Sequence, residues 1–284
     1  MEKNVVYMTE EEYKKEYDKI RPFIDDCWGN PLNGDLEKGY KSLTLPKFQS
    51  SDIEHEQKLS CPLFIHLGQH YEAGKGIFII GQETHGWGGN PETIGNSLFS
   101  FKNAKCKHKE KTLMEVQSEW LLMHYQYYID SDFHNAVKAI TGETTGKGFL
   151  ESQFVWDDLI AMDYGGGSFK SLEKEYRPGL IEFSKQKLRM ELAVAKPKFA
   201  IFLIGSYADG SQGFSNFFSK KEVKDIHEVK DCPNLNQFTL DFCENHENIQ
   251  IECYATSHPS YKGWVNKEDV LRKLAETVKV NQTK

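Results

Sequence analysis

Ile77-Phe78-Ile79-Ile80-Gly81-Gln82-Glu83-Thr84-His85-Gly86-Trp87-Gly88-Gly89 passes abruptly from four apolar residues into a polar, glycine-rich loop. A continuous apolar run bounded by glycine reads as a strand covered on both faces, the mark of a parallel sheet. Three further segments repeat the pattern. Phe154-Val155-Trp156 leads into Asp157-Asp158-Leu159-Ile160, Phe199-Ala200-Ile201-Phe202-Leu203-Ile204 ends in Gly205, and Ile249 to Tyr254 runs into Ala255-Thr256-Ser257-His258. Helical patterns lie between them. Thr112 and Glu115 form a capping box ahead of an apolar stripe of Leu113, Val116, Trp120, Met123 and Tyr127. Residues 180–195 are amphipathic and stop before Lys196-Pro197, and a last helix is expected over 267–278.

The expected fold is therefore α/β, a three-layer sandwich with a central four-stranded parallel sheet. One domain is expected, with residues 1–74 as a helical N-terminal elaboration packed on a core of 75–284. Ligands of such sheets bind beyond the carboxyl ends of the strands. Here those ends are Gly81-Gln82-Glu83, Asp157-Asp158, Gly205-Ser206 and Ser257-His258.

Composition narrows the function classes. Acidic residues outnumber basic ones, 42 to 35, for a net charge of −7, which argues against a globally basic nucleic-acid coat while leaving room for a local basic patch. With 39% hydrophobic and 13% aromatic residues, the 284-residue chain can bury a sizeable core. No apolar run approaches the ~20 residues of a membrane span, and Met1-Glu2-Lys3-Asn4 lacks the apolar core of a signal peptide. A soluble, cytoplasmic protein without a membrane partner is expected. Cysteines 27, 61, 106, 232, 243 and 253 contain no C-x-x-C pair, so reduced thiols, no metal and no cofactor are expected.

The loop after Ile80 matches neither G-x-x-x-x-G-K-[ST] nor G-x-G-x-x-G. Its three glycines and one carboxylate instead suit a close approach of backbone to ligand. The plainer reading of Glu83 is a solvated charge at a helix N-terminus, favourable by ~0.3–1 kcal/mol. For His258 it is a packed strand-end histidine.

Taken together, these segments resemble the uracil-DNA glycosylase superfamily over roughly residues 75 to 265. That superfamily's first motif, a strand followed by Gly-Gln-Asp-Pro-Tyr, a glycine-rich loop and a base-stacking Phe, stands here as Gly81-Gln82-Glu83-Thr84-His85, the glycine loop and Leu98-Phe99-Ser100. Its closing His-Pro-Ser stands as His258-Pro259-Ser260, and Val155-Trp156-Asp157-Asp158-Leu159 resembles the strand that carries the base-reading Asn. The resemblance implies base flipping on DNA and hydrolysis of an N-glycosidic bond. Glu83 would then orient the water and stabilise the cationic sugar, and His258 would donate to the pyrimidine O2 as it gains charge. Gln82, His85, Phe99 and Asp158 would hold the base. Ser260, Tyr261, Lys262 and Trp264 would supply an apolar wedge and phosphate contacts, with DNA as the partner.

The departures from the family point to the substrate. Glu83 replaces Asp, Thr84 replaces Pro, His85 replaces the Tyr that guards the C5 edge, and Asp158 stands for the Asn. An ionised Asp158 only accepts hydrogen bonds and would favour a cytosine-type amino group; a protonated one also donates. Strand alternation allows only one of Asp157 and Asp158 to face the base. His85 with Gly86, Gly88 and Gly89 would open the C5 side. The leading expectation is thus excision of a non-uracil base, a hydroxymethylated or glucosylated cytosine of phage DNA, in phage defence. The alternatives are a catalytically idle nucleic-acid or nucleotide binder and a uracil-DNA glycosylase of DNA repair. A serine hydrolase using Ser206, His258 and an Asp ranks last, because no G-x-S-x-G elbow is present.

Lys102, Lys105, Lys107, Lys109 and Lys111 with one acid, Glu110, form a basic stretch just after Phe99, suited to phosphates. Replacing Lys105, Lys107 and Lys109 together is expected to lower DNA affinity and flatten its dependence on salt. Titrations at several salt concentrations check this, and an unchanged slope returns the stretch to an ordinary solvated loop.

Overall fold

In a computed structural model, residues 9, 11–12, 14–15, 18–19, 29–43, 59–60, 62–83, 131–164, 167–205 and 213–282 are described. His85, Phe99, Lys102, Lys105, Lys107, Lys109, Ser206, the glycine loop and the helix expected after Thr112 lie outside them. The elements are α1 (Leu32–Ser42), β1 (Ile77–Glu83), α2 (Asp132–Thr141), α3 (Gly146–Glu151), β2 (Phe154–Ile160), α4 (Arg177–Ala195), β3 (Phe199–Leu203), β4 (Val223–Glu228), β5 (Asn236–Glu244), β6 (Glu247–Thr256) and α5 (Lys267–Gln282).

Local chemistry sets many of the boundaries. Ser131 caps α2 by accepting from the His134 N–H, and Gly142 ends the helix at φ 76°. Pro178 enters at the first turn of α4, and Lys196 closes that helix at φ 43° just before Pro197. Asn245 and His246, at φ 48° and 68°, form the two-residue turn that joins β5 to β6.

Among the described residues the sheet has six strands in the order β2-β1-β3-β6-β5-β4. This corrects the expected count of four. The four strands read from the sequence are adjacent and parallel, and β5 and β4 extend the sheet antiparallel beyond β6. β5 alternates buried Phe238, Leu240 and Phe242 with less buried neighbours, so it lacks the continuous apolar run of β1 and β3. A second correction concerns β2, which continues through both aspartates to Ile160. Beside its far end, Leu63 N–H donates to Ala161 O (2.8 Å) and Ser60 N–H to Asp163 O (3.0 Å), so the N-terminal segment covers this sheet edge.

Helices cover both faces. Phe78, Ile80, Val155 and Phe202 pack with α1 and α4, whereas Ile77, Ile79, Trp156 and Ile201 pack with α2 and α5. The described part of residues 1–74 combines α1 with Leu59, Leu63, Phe64 and Ile65, buried without joining a helix or an extended ladder. Asn33 ties the two together, donating to Leu67 O (2.9 Å) and accepting from Leu67 N–H (2.7 Å).

Between β2 and α4 lies a fully buried ionic network. Lys187 Nζ donates to both Asp157 oxygens (2.7 Å each) and to Glu191 Oε2 (2.8 Å). Burial, reinforced by Asp157, holds the Glu191 carboxyl well above its usual range. A proton on Glu191 balances two carboxyls against one ammonium. Tyr40 Oη lies 2.7 Å from Glu191 Oε1 and 3.0 Å from Ile65 O. One hydroxyl hydrogen cannot serve both, so a proton on Oε1 that is donated to Oη leaves the tyrosine's own hydrogen for Ile65.

Lys187→Met strands Asp157 in the core and is expected to cost about 3–5 kcal/mol. Because the orphaned carboxyls can take up protons, the loss should be smaller in mildly acidic than in alkaline buffer, as urea unfolding at the two conditions will show.

Candidate functional site

The carboxyl ends of β1, β3 and β6 close on one another through a single glycine. Gly205 has φ +52°, and a Cβ there would stand 2.8 Å from His258 N, 3.2 Å from His258 Cβ and 3.4 Å from Gln82 Nε2. Only a residue without a side chain, and at ease in the left-handed region, permits this approach. Gln82 Nε2 donates to Ile204 O at 2.6 Å, tying β1 to the end of β3. That amide nitrogen serves the scaffold, a use that its expected base-binding role did not include.

Glu83 ends β1 with both carboxylate oxygens engaged. Ser168 Oγ lies 2.9 Å from Oε1 and 3.0 Å from Oε2, and the Phe169 N–H donates to Oε2 at 3.1 Å. Sequence reading missed this loop; its signal was the Gly165-Gly166-Gly167 run just before Ser168.

Asp157 and Asp158 go to opposite faces. Asp157 belongs to the Lys187 network, so Asp158 is the carboxyl on the side of Gly81, its register partner on β1. A Cβ on Gly81 would sit 2.2 Å from Asp158 Oδ1 and 3.0 Å from a ring carbon of Phe133 in the first turn of α2. Asp158 is 9% exposed, and no hydrogen bond among the described residues reaches its carboxyl. Burial first, then the Asp157 charge and more weakly that of Glu83, raise its pKa well above the carboxylate range, against the pull of Lys187. Its surroundings therefore favour the neutral acid over the carboxylate. The upward shift runs in the direction of the protonated alternative rather than the ionised one.

His258 follows β6. The Ser260 N–H, which can only donate, points at Nδ1 (3.3 Å), and Ser260 Oγ lies 2.7 Å from the same atom. Nδ1 is thus an acceptor, and the neutral ring carries its proton on Nε2. Burial lowers the His258 pKa from 6.5 to about 4, with Asp132 opposing and Lys267 assisting. Lys267 Nζ also donates to Pro259 O (2.6 Å) and lies 3.7 Å from Asp132, so it fastens the His-Pro-Ser turn to α2. Neither Lys267 nor Asp132 carried a motif that would single it out.

The two aromatic rings expected to act as wedges separate. Tyr261 is 61% exposed, lies over Gly263 and neighbours exposed Lys262. Trp264 is 6% exposed and packs with the α2–α5 core, which corrects its reading as an exposed wedge. α5 begins three residues later, and the ring packs beside it. Among the described residues, no group of three or more His, Cys, Asp or Glu could hold a metal ion, and no helix is long and apolar enough to cross a membrane.

Neutral His258 has a stability consequence with a definite sign. Between 6.5 and about 4 the unfolded chain binds a proton that the folded ring refuses, so stability falls as pH drops through that window. Ring resonances of His258 in a nuclear magnetic resonance titration are expected to move near pH 4. A midpoint near the ordinary histidine value would contradict the half-buried, neutral assignment.

Comparison of the chain with protein-family models, with curated proteins and with solved structures gave no match in any of the three.

Proposed function

We propose that the protein is a DNA glycosylase that hydrolyses the N-glycosidic bond of a flipped, non-uracil pyrimidine, with a C5-modified cytosine such as the hydroxymethylated or glucosylated base of phage DNA as substrate. What supports this reading is the placement of three chemically distinct groups toward the carboxyl ends of the parallel strands β1, β2 and β6, with β3 lying between β1 and β6. Those groups are loop-held Glu83, neutral Asp158 and neutral His258, each in a motif that resembles the uracil-DNA glycosylase superfamily. The parallel block β2-β1-β3-β6 supports the same fold assignment, with β5 and β4 as an extension of it.

Each group suits one part of the reaction. As the bond from sugar carbon to base nitrogen breaks, its electron pair leaves with the base and the sugar becomes an oxocarbenium ion. His258 donates its Nε2–H to the base oxygen that gains charge, and a neutral donor does this without first losing a proton to solvent. Glu83, its carboxylate fixed by Ser168 and Phe169, stabilises the cationic sugar and takes the proton of the water that adds to it. Asp158 meets the Watson–Crick edge of the base. With Asp158 neutral, the preference for a modified cytosine falls to the C5 side, where His85 replaces the family's Tyr. DNA backbone contacts fall to Tyr261 and Lys262, together with the lysine stretch from Lys102 to Lys111.

One observation favours a binding protein without catalysis. Both Glu83 oxygens are already engaged by the loop, as a purely structural carboxylate would be.

Glu83→Gln separates the two readings, because the amide keeps an acceptor for the loop and loses the charge. On oligonucleotides carrying 5-hydroxymethylcytosine, abasic-site formation by this variant is expected to fall by about a hundredfold or more, with DNA binding retained. Undiminished excision removes Glu83 from the mechanism. A wild-type protein that binds DNA but makes no abasic sites is the idle binder.

A further inference from the structure

Asp158 occupies an unusual position for a polar side chain. It is nine-tenths buried on an inner stretch of β2, its Oδ1 lies against the bare Cα of Gly81, and Phe133 closes one side. No donor among the described residues reaches either oxygen. The charged groups that act on it are Asp157 on its own strand, Glu83 on β1 and Lys187 on α4. Two of these are carboxyls, and the lysine is bonded to Asp157 and Glu191 across the strand. Burial disfavours the ionised form of a carboxyl so placed, and among the described residues only the Lys187 charge opposes this.

A neutral carboxyl presents one O–H donor and one carbonyl acceptor side by side. A cytosine-type edge offers the complementary pair, the N3 acceptor and the N4 amino donor. A uracil-type edge offers N3–H and O4, the same pair in reverse. Moving the proton from one carboxyl oxygen to the other exchanges the two patterns without moving a heavy atom. An amide at this position would have to rotate to do the same. In many reading sites the reader's own hydrogen bonds decide which pattern it shows; here no such bond is present among the described residues.

We propose that Asp158 is an unlocked base reader, a carboxylic acid that pairs with either an amino-bearing or a keto-bearing pyrimidine edge and so binds the flipped base without choosing between cytosine and uracil types. The inference rests on the proposed base pocket and deepens it. Selection of the substrate is then left to the other edges of the base. Gly81 is part of the device, since any side chain there would occupy the space of Oδ1.

The test uses free cytosine and free uracil with the whole chain. Wild-type protein is expected to bind the two with affinities within about threefold, and Asp158→Leu to weaken both by about tenfold or more, the size of one lost bidentate contact. The infrared difference between wild type and Asp158→Asn at neutral pH is expected to carry a protonated-carboxyl band, a measurement that does not depend on the Leu variant folding. A preference above about tenfold that vanishes in Asp158→Leu, carboxylate bands alone, or no Asp158-dependent binding of either base overturns the inference. Binding of both bases through Asp158 without abasic-site formation on DNA retires the excision reading alone and leaves this one standing.

Discussion

Asp157 and Lys187 meet where neither is exposed to solvent, with both carboxylate oxygens 2.7 Å from the ammonium. Separating them would leave two charges in a medium that cannot solvate them, at a cost of several kcal/mol. Strand β2 is therefore held against α4 at one residue. Side chains alternate along a strand, so a slip of one position would exchange Asp157 with Asp158 and turn the site inside out. The pairing of Gly81 with Asp158, and with it the approach of Oδ1 to a bare Cα, follows from this one constraint.

From that fixed register, three carboxyls acquire three different characters. Asp157 is held by the Lys187 ammonium, Asp158 is pushed toward its neutral form by burial, and Glu83 accepts hydrogen bonds from a loop. Pairs of like groups pushed apart by their surroundings are how one site hosts both acid and base roles. His258 completes the set as a neutral donor with its tautomer set by Ser260. The added strands β5 and β4 matter here too, since they pair along β6 and make the strand that leads to His258 an interior one.

β1 and β3 were readable because each is apolar on both faces, a pattern that survives without knowledge of neighbours, and β2 and β6 because short apolar stretches run into polar strand ends. β5 was not, because its alternation is that of a half-covered strand and resembles many helical or loop segments over so short a span. α2 was also missed, although Ser131-Asp132 is a capping signal, since Phe133, Ala136, Val137 and Ile140 form a short stripe with no long run around it. At the site, Glu83 and His258 could be singled out by their motifs, while the Ser168 loop, Lys267 and Asp132 could not.

The α/β class and the four parallel strands were legible in the sequence, because hydrophobic patterning is a local property. Tertiary structure was needed to send the two aspartates to opposite faces and raise the pKa of Asp158, to make Trp264 core while Tyr261 is exposed, and to leave the His258 proton on Nε2. These are matters of burial and of partners distant in the chain. Protonation depends on what surrounds a group, and nothing in the residues adjoining Asp158 names Lys187 as the cation given to Asp157 instead.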